Sequence, residues 1–290
     1  MQERPIIILQ VGTPPDEMLA VHNDVPVWFC HALQVPADAV EVIRVFEGEA
    51  LPQPDPRRMA IITGSWAMVT ERLPWSKAMA EWIRAAMAVH MPLFGVCYGH
   101  QLMAYALGGR VDYHPAGREA GNQQIILRPE AKADPLLSTF PDTFTAHLTH
   151  MQTIVELPPG ASALAYSSHD PHQIVRYGPN AMSVQFHPEF TPGISTALMQ
   201  FRADILRSEG RDLEAMLSDV RDAPEARNVL RFFIQQACGH PSQTIFEEPS
   251  VLHYRTGRRI PTRGQGCALG HPDALTLLAF QYPAHHAENL

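Results

Sequence analysis

Short apolar runs alternate with helical segments along the first hundred residues, and this alternation constrains the fold more than any other feature. The runs occupy residues 5–11, 40–46, 59–63 and 93–96. Between them, Asn23 and Asp24 can cap a helix that extends to about residue 33, and residues 71–90 have apolar side chains at helical spacing. Such alternation is typical of a parallel sheet covered by helices. We therefore predict an α/β fold with a mostly parallel open sheet flanked by helices.

The second half of the chain has a different pattern, in which strand-like runs follow one another without long helices. These runs occupy residues 123–127, 144–148, 163–166, 173–177 and 182–186. Their succession predicts a β-rich extension of the sheet that includes antiparallel strands. Helices are predicted at about 194–208 and 223–237. Beyond them Pro, His, Arg and Gly dominate, so we expect one domain over 1–238 and an extension of unknown role over 239–290.

Composition and charge exclude several classes of function. Hydrophobic residues make up 46% of the chain and charged residues 18%, as in globular proteins. The net charge of −8 favours neither nucleic acid nor an anionic membrane as a partner. The N-terminal apolar run is too short for a signal peptide, so we expect a cytoplasmic protein. Four single cysteines without a CxxC pair indicate neither a disulfide scaffold nor a zinc site, and we expect no metal or cofactor.

One cysteine stands where an apolar strand meets a helix. Residues 93–101 read LFGVCYGHQ, which places Cys97 between Gly95 and Gly99. A sharp turn there exposes the side chain above the sheet, and the N-terminus of the helix favours the thiolate. A buried core cysteine is the common alternative, but a packed thiol needs no glycine on either side. Cys97 is therefore a candidate nucleophile.

A histidine and a glutamate further along supply the other groups that thiol chemistry needs. His187 and Glu189 belong to the segment QFHPE, and a spacing of two in an extended chain directs both side chains to one face. A nucleophilic thiol needs an imidazole to take its proton and a carboxylate to orient that imidazole. Alone, this segment is as well explained by a solvated strand end. Its combination with Cys97 predicts a nucleophile, a base and an orienting carboxylate.

The two motifs, in this order and separation, resemble those of class I glutamine amidotransferases over about residues 5–237. The resemblance implies the flavodoxin-like fold of that family and a catalytic triad of Cys97, His187 and Glu189. It also implies that a γ-glutamyl thioester forms on Cys97, that ammonia is released from glutamine, and that water hydrolyses the thioester to glutamate.

The resemblance extends to an oxyanion hole. Residues 61–65, IITGS, are similar to the family's oxyanion strand. Backbone N–H groups at Gly64, Ser65 and Tyr98 are therefore expected to face the oxyanion, where fixed donors stabilise the developing charge. Trp66 departs from the family pattern, because many relatives have Pro after this turn.

Two further residues are similar to family positions at the substrate pocket. Gln101 resembles a residue that helps to seat glutamine, although an ordinary polar position on the first turn of a helix is the alternative. His150 lies in THMQ, which resembles a segment that runs past the pocket. Relatives usually carry Asp where Gln152 stands, so a carboxylate that could hold the substrate ammonium group is missing.

The subclass depends on what the sequence lacks. We find no phosphate-binding loop, no dinucleotide fingerprint and no pyrophosphatase loop after residue 190, so any ammonia-accepting synthase would be a separate chain. A glutamine amidotransferase or glutaminase-type hydrolase is the leading interpretation. A γ-glutamyl peptidase acting on glutathione-like compounds is the alternative that Gln152 favours. A third interpretation is a non-catalytic regulatory or partner-binding domain, which the intact triad disfavours. The oligomeric state is left open, and a homo-oligomer is possible.

Overall fold

The computed structural model describes residues 6–238, and within them the chain forms eleven strands and eight helices. The strands are β1 (Ile6–Gln10), β2 (Val40–Arg44), β3 (Met59–Ile62), β4 (Leu93–Val96), β5 (Arg110–Tyr113), β6 (Glu119–Leu127), β7 (Thr143–His150), β8 (Gln152–Glu156), β9 (Ser162–Tyr166), β10 (Ile174–Gly178) and β11 (Ala181–Val184). The helices are α1 (Asp16–His22), α2 (Val25–Leu33), α3 (Pro74–Ala88), α4 (Tyr98–Ala106), α5 (Pro192–Phe201), α6 (Ala203–Ser208), α7 (Leu213–Ser218) and α8 (Pro224–Cys238). The extension expected over 239–290 lies outside the described residues.

Nine strands form one sheet in the order β2-β1-β3-β4-β11-β10-β9-β6-β7. The first five strands in this order pair in parallel, and the remaining pairs are antiparallel. The predicted α/β fold, a parallel sheet with a β-rich extension, is therefore confirmed. All five residues of β1 are buried, as expected for a strand covered on both faces.

Alternate residues of β1 enter separate hydrophobic clusters on the two faces of the sheet. Ile8 packs with residues of α2, α5 and α8, whereas Ile7 packs with residues of α3 and α4. This division follows from the two-residue repeat of a strand. Asp24 caps α2 by accepting a hydrogen bond from the Val25 N–H at 2.8 Å, in agreement with the sequence. No helix within residues 6–238 is long and apolar enough to span a bilayer.

Several boundaries differ from the sequence analysis. The predicted helix over 71–90 begins at Pro74, because residues 69–71 form a separate 3₁₀ turn. The predicted helix over 194–208 is divided at Arg202 into α5 and α6. Strands β5 and β8 had no clear alternating pattern and form an antiparallel pair outside the main sheet.

The strand order places the residues of the two motifs at one edge of the sheet. β3, β4 and β11 are adjacent and parallel, so their carboxyl ends meet. Gly64 follows β3, Cys97 follows β4 and His187 follows β11. Ligands of open α/β sheets bind outside the carboxyl ends of the strands, which makes this edge the candidate site.

Candidate active site

Cys97 occupies a strained turn between β4 and α4. Its φ of 51° and ψ of −99° lie in a region that residues with a side chain rarely adopt. The backbone is held in place because the Cys97 N–H donates to the Val184 carbonyl at 2.9 Å. A Cβ on Gly99 would lie 2.4 Å from the Ile62 oxygen, and one on Gly95 would lie 2.7 Å from the Gly99 carbonyl group. The two glycines therefore let α4 begin directly against the sheet.

His187 is fixed on three sides. Its Nδ1 donates to Oε1 of Glu189 at 2.8 Å, and its ring stacks on Phe190 with centroids 4.1 Å apart. Its backbone N–H donates to the His147 carbonyl of β7 at 2.9 Å. The sequence predicted an extended segment here, but β11 ends at Val184 and residues 188–189 form a turn. This turn, rather than a shared strand face, brings the carboxylate to the imidazole.

The thiol and the imidazole shift each other's pKa. Burial alone would raise the pKa of Cys97, but the interactions with His187 and the positive charge of His150 together outweigh it, and the pKa lies below its usual value. Burial opposes the charged form of His187, but the charges of Glu189 and Cys97 raise its pKa to about 10. Nε2 of His187 is buried and has no hydrogen-bond partner among the described residues. Each of the two groups therefore favours the charged form of the other.

The residues expected at the oxyanion hole surround Cys97. A Cβ on Gly64 would lie 3.1 Å from Cε1 of His187 and 3.7 Å from Cβ of Cys97, so only glycine fits without displacing the imidazole. Ser65 donates its hydroxyl to the Val11 carbonyl at 2.7 Å, which fixes the turn after β3. Tyr98 is the first residue of α4, where helix geometry leaves the backbone N–H without an intrahelical partner.

A second histidine–carboxylate pair lies behind the thiol. Nε2 of His150 is 2.8 Å from Oε2 of Glu119, and Nδ1 is 2.9 Å from the Gln152 carbonyl oxygen. Because both partners are acceptors, the ring carries two protons when Glu119 is ionised. Burial lowers the pKa of His150, but the hydrogen bond to Glu119 and nearby negative charges raise it above its usual value. Oε1 of Glu119 also accepts from the Ser167 hydroxyl at 2.5 Å.

Gln101 and Gln152 lie beside each other near the thiol. Nε2 of Gln101 donates to the Gln152 backbone carbonyl at 2.7 Å and to Oε1 of Gln185 at 2.9 Å. The Gln152 side chain donates to the Thr70 hydroxyl at 2.6 Å and accepts from the Thr70 N–H at 3.4 Å. The Gln152 side chain thus ties the 3₁₀ turn at residues 69–71 to β8.

Two cavities meet at Cys97, and they differ in chemistry. We call the first the apolar cavity; it has a volume of about 500 Å³, part of it open to solvent, and its apolar wall is formed by Pro14, Met18, Val25, Trp28, Phe190 and Leu198. We call the second the polar cavity; it has a volume of about 350 Å³, and its polar wall includes Gln101, Arg118, His150 and Gln152. Cys97, Ser65, Trp66, Thr149 and Arg202 line both.

Three charged residues in or near these cavities were not found by the sequence analysis. Arg202 lies over the Trp66 ring, 4.5 Å from its centroid, and donates to the Thr149 hydroxyl. Arg118 is buried and pairs with Glu209 at 3.1 Å. Arg118 and Glu119 are adjacent at the start of β6, and Arg202 lies between α5 and α6. None of the three belongs to a sequence motif, so the sequence offered no signal for them. Within residues 6–238, no group of three His, Cys, Asp or Glu residues is arranged to hold a metal.

Comparison with known proteins identifies the family to which this chain belongs. The family model for glutamine amidotransferase class-I matches residues 55–203, just over half of the chain. The chain is 34% identical over 148 residues to the glutamine-hydrolyzing GMP synthase of Thermomicrobium roseum, a match that covers 50% of this chain but only 26% of the synthase. It is 26% identical over 261 residues to gamma-glutamyl peptidase 4 of Arabidopsis thaliana, covering 87% of this chain and 100% of that protein.

A solved structure is also similar. The glutamine amidotransferase of Thermotoga maritima superposes with a TM-score of 0.64 at 20% identity, covering 81% of this chain and 99% of that one. At this identity the likeness supports the fold alone. The family-model match shows more, and the chain belongs to the class I glutamine amidotransferase family.

Proposed function

We propose that the protein hydrolyses a γ-glutamyl C–N bond through a thioester on Cys97, with His187 and Glu189 as the other members of a catalytic triad. One observation carries this proposal: a thiol on a strained strand-to-helix turn shares a cavity with an imidazole whose Nδ1 is bonded to a buried carboxylate at 2.8 Å. Nucleophile, base and orienting group are the three components that thiol-dependent acyl transfer requires.

Acylation begins from the ion pair. The thiolate of Cys97 attacks the γ-carbonyl carbon, a C–S bond forms, and negative charge develops on the carbonyl oxygen. Backbone N–H groups at Gly64, Ser65 and Tyr98 stabilise that charge, because fixed donors need no reorganisation during the reaction. The imidazolium of His187 gives its proton to the leaving nitrogen, and the C–N bond breaks.

Deacylation uses the same groups in reverse. His187, now neutral, takes a proton from water, and the hydroxide adds to the thioester carbon. The C–S bond breaks as the second oxyanion collapses, glutamate is released, and the thiolate–imidazolium pair is restored. Glu189 holds Nδ1 of His187 throughout, which directs Nε2 towards the reacting atoms. Gln101 and His150, in the wall of the polar cavity, would contact the glutamyl part of the substrate.

Two leaving groups are consistent with this chemistry. Free glutamine would release ammonia for a separate synthase, since the GMP synthase relative extends far beyond the matched segment. A γ-glutamyl peptide would release an amine, and two observations favour this second candidate. The Arabidopsis gamma-glutamyl peptidase matches over its whole length. In addition, the resemblance described above implies that Gln152 stands where relatives usually carry Asp.

Labelling and hydrolysis together test the proposal. An electrophilic glutamine analogue is expected to label Cys97 with a stoichiometry of one, as measured by peptide mass spectrometry. Cys97→Ser should abolish both labelling and release of glutamate. Cys30→Ala is the matched control, because Cys30 is buried in α2 and burial raises the pKa of its thiol. Selective labelling of Cys30, or hydrolysis that survives Cys97→Ser, would contradict the triad.

Activity without a partner synthase distinguishes release of ammonia from release of a larger amine. Ammonia release from glutamine is measured beside amine release from γ-glutamyl peptides, with the purified chain alone. A synthase-dependent amidotransferase should hydrolyse free glutamine slowly without its partner. Rapid hydrolysis of glutamine by the chain alone would rule out that dependence.

A further inference from the structure

The two cavities that meet at Cys97 offer different surroundings to the two sides of a substrate. His187 and Glu189 line the apolar cavity, whereas Tyr98 and Gln101 line the polar cavity. A general acid must lie within hydrogen-bond reach of the atom that it protonates. The leaving nitrogen therefore lies on the His187 side of the thiol, and the glutamyl group extends to the other side.

The polar cavity has the chemistry that a glutamyl group needs. A glutamyl group carries an ammonium and a carboxylate at its far end. Arg118 lines this cavity alone and Arg202 lines both cavities, and each can provide cationic donors for a carboxylate. The amide oxygen of Gln101 can accept a hydrogen bond from an ammonium group. Assignment of the glutamyl group to this side leaves the apolar cavity to the leaving group.

The apolar cavity is larger and less polar than ammonia requires. Its space of about 500 Å³, part of it open to solvent, is bordered on one side by buried apolar side chains, including Met18, Val25 and Leu198. Ammonia is a single small polar molecule and would leave these surfaces in contact with water. Apolar walls instead gain free energy when an apolar group displaces that water.

The aromatic part of this wall is rigid and presents no free polar group. The indole N–H of Trp28 donates to the His22 carbonyl at 2.7 Å, away from the cavity. The Trp28 ring meets Phe190 edge to face at 5.8 Å, and Phe190 in turn stacks on His187. The wall is thus preformed beside the proton donor.

We propose that the substrate is a γ-glutamyl amide whose leaving amine carries an apolar or aromatic side chain, which occupies the apolar cavity. This inference rests on the proposed function and names its substrate class. Attack by Cys97 forms the C–S bond, His187 protonates the leaving nitrogen, and the apolar amine departs. Water then releases glutamate, so one water is consumed for each amine formed.

The test compares substrates that differ only in the side chain of the leaving amine. γ-Glutamyl-leucine and γ-glutamyl-glycine have the same scissile bond and the same terminal carboxylate. We expect kcat/KM to be about 10²-fold higher for γ-glutamyl-leucine, since apolar pockets discriminate by this order for a few carbon atoms. Glutamine is expected to be the poorest substrate of the three.

A pair of variants links this preference to the cavity. Met18→Ala removes part of the wall and should lower the leucine-to-glycine ratio about tenfold. Met91→Ala is the matched control, because Met91 is equally buried on the other face of the sheet and should leave the ratio unchanged. If Met18→Ala fails to fold, Met18→Gln keeps the length of the side chain and should lower the ratio by making the wall polar.

The outcomes separate this inference from the proposed function. Equal kcat/KM values for the two peptides, or a preference for glutamine, would overturn the inference and leave thioester chemistry intact. A leucine preference that Met91→Ala lowers as much as Met18→Ala would also overturn it. If neither glutamine nor either peptide is hydrolysed and no glutamine analogue labels Cys97, the proposed function itself is wrong.

Discussion

Two buried histidine–carboxylate pairs flank Cys97, and they differ in one respect. The nitrogen-to-oxygen distance is 2.8 Å both in the pair of His187 with Glu189 and in the pair of His150 with Glu119. His187 keeps Nε2 without a partner among the described residues, whereas both ring nitrogens of His150 are bonded to protein groups. An imidazole can transfer a proton only through a nitrogen that faces the reactants. The first pair can therefore exchange protons with a substrate, and the second can act only as a fixed charge.

Replacement of each histidine should give the largest difference between the pairs. His187→Asn removes the proton donor and acceptor, and we expect kcat to fall about 10³-fold. His150→Asn removes a charge but no proton carrier, and a loss of about tenfold is expected. Steady-state kinetics with a γ-glutamyl substrate measures both, and melting temperatures check that both variants fold. Equal losses would show that the pairs do not differ in role.

Replacement of the carboxylates should change the pH profile in only one pair. The reactive form exists between the lowered pKa of Cys97 and the pKa of about 10 of His187. Glu189→Gln removes the negative charge that raises the pKa of His187, so the alkaline limb of kcat/KM should move to lower pH, with a loss of about 10²-fold. Glu119→Gln should leave the alkaline limb in place. Movement of that limb in both variants would contradict the distinction.

A substitution at Gly64 tests the His187 pair alone, because Gly64 lies against the His187 imidazole. A Cβ at this residue would lie 3.1 Å from Cε1 of His187, so Gly64→Ala should displace the ring and lower kcat about tenfold. Gly193→Ala is the matched control, because its Cβ would lie 3.5 Å from the nearest atom, an ordinary contact. A fully active Gly64→Ala variant would show that the ring position is not critical.

The smallest expected effect concerns the thiol itself. Positive charge on His150 contributes to the lowered pKa of Cys97, after the larger contribution of His187. His150→Asn should therefore raise the pKa of the thiol, and alkylation of Cys97 should require a pH higher by less than about one unit. Peptide mass spectrometry of the alkylation rate against pH measures this change. An unchanged dependence of the alkylation rate on pH would mean that the charge of His150 does not lower the pKa of Cys97.

The sequence was sufficient to predict the first pair and not the second. Cys97 lies in a local pattern of strand, glycines and helix, and His187 and Glu189 are two residues apart, so both signals lie within short segments. Glu119 and His150 are brought together by the antiparallel register of β6 and β7, across 31 positions of sequence. No local periodicity encodes that register. The same limit applies to Arg202, which lies between α5 and α6, where the sequence predicted a single helix.

For the fold too, elements with a local sequence signal were predicted and elements that depend on long-range pairing were not. The parallel strands were evident from continuous apolar runs, because burial on both faces leaves a strong signal in the sequence. β5 and β8 were missed, since their four and five residues mix charged and apolar side chains. The turn at Pro188 was also missed, although a proline after His187 is compatible with it. Tertiary pairing, rather than local preference, determines these parts of the chain.

The position of Phe190 limits how the substrate preference of this protein can be redesigned. Its ring is at once a wall of the apolar cavity and the platform on which the His187 imidazole rests. Any change of ring size at this residue alters the depth of the cavity and the tilt of the imidazole together, so a library built there would confound recognition with turnover. Engineering of the leaving group should therefore begin at Met18 or Val25, which border the cavity without supporting the imidazole.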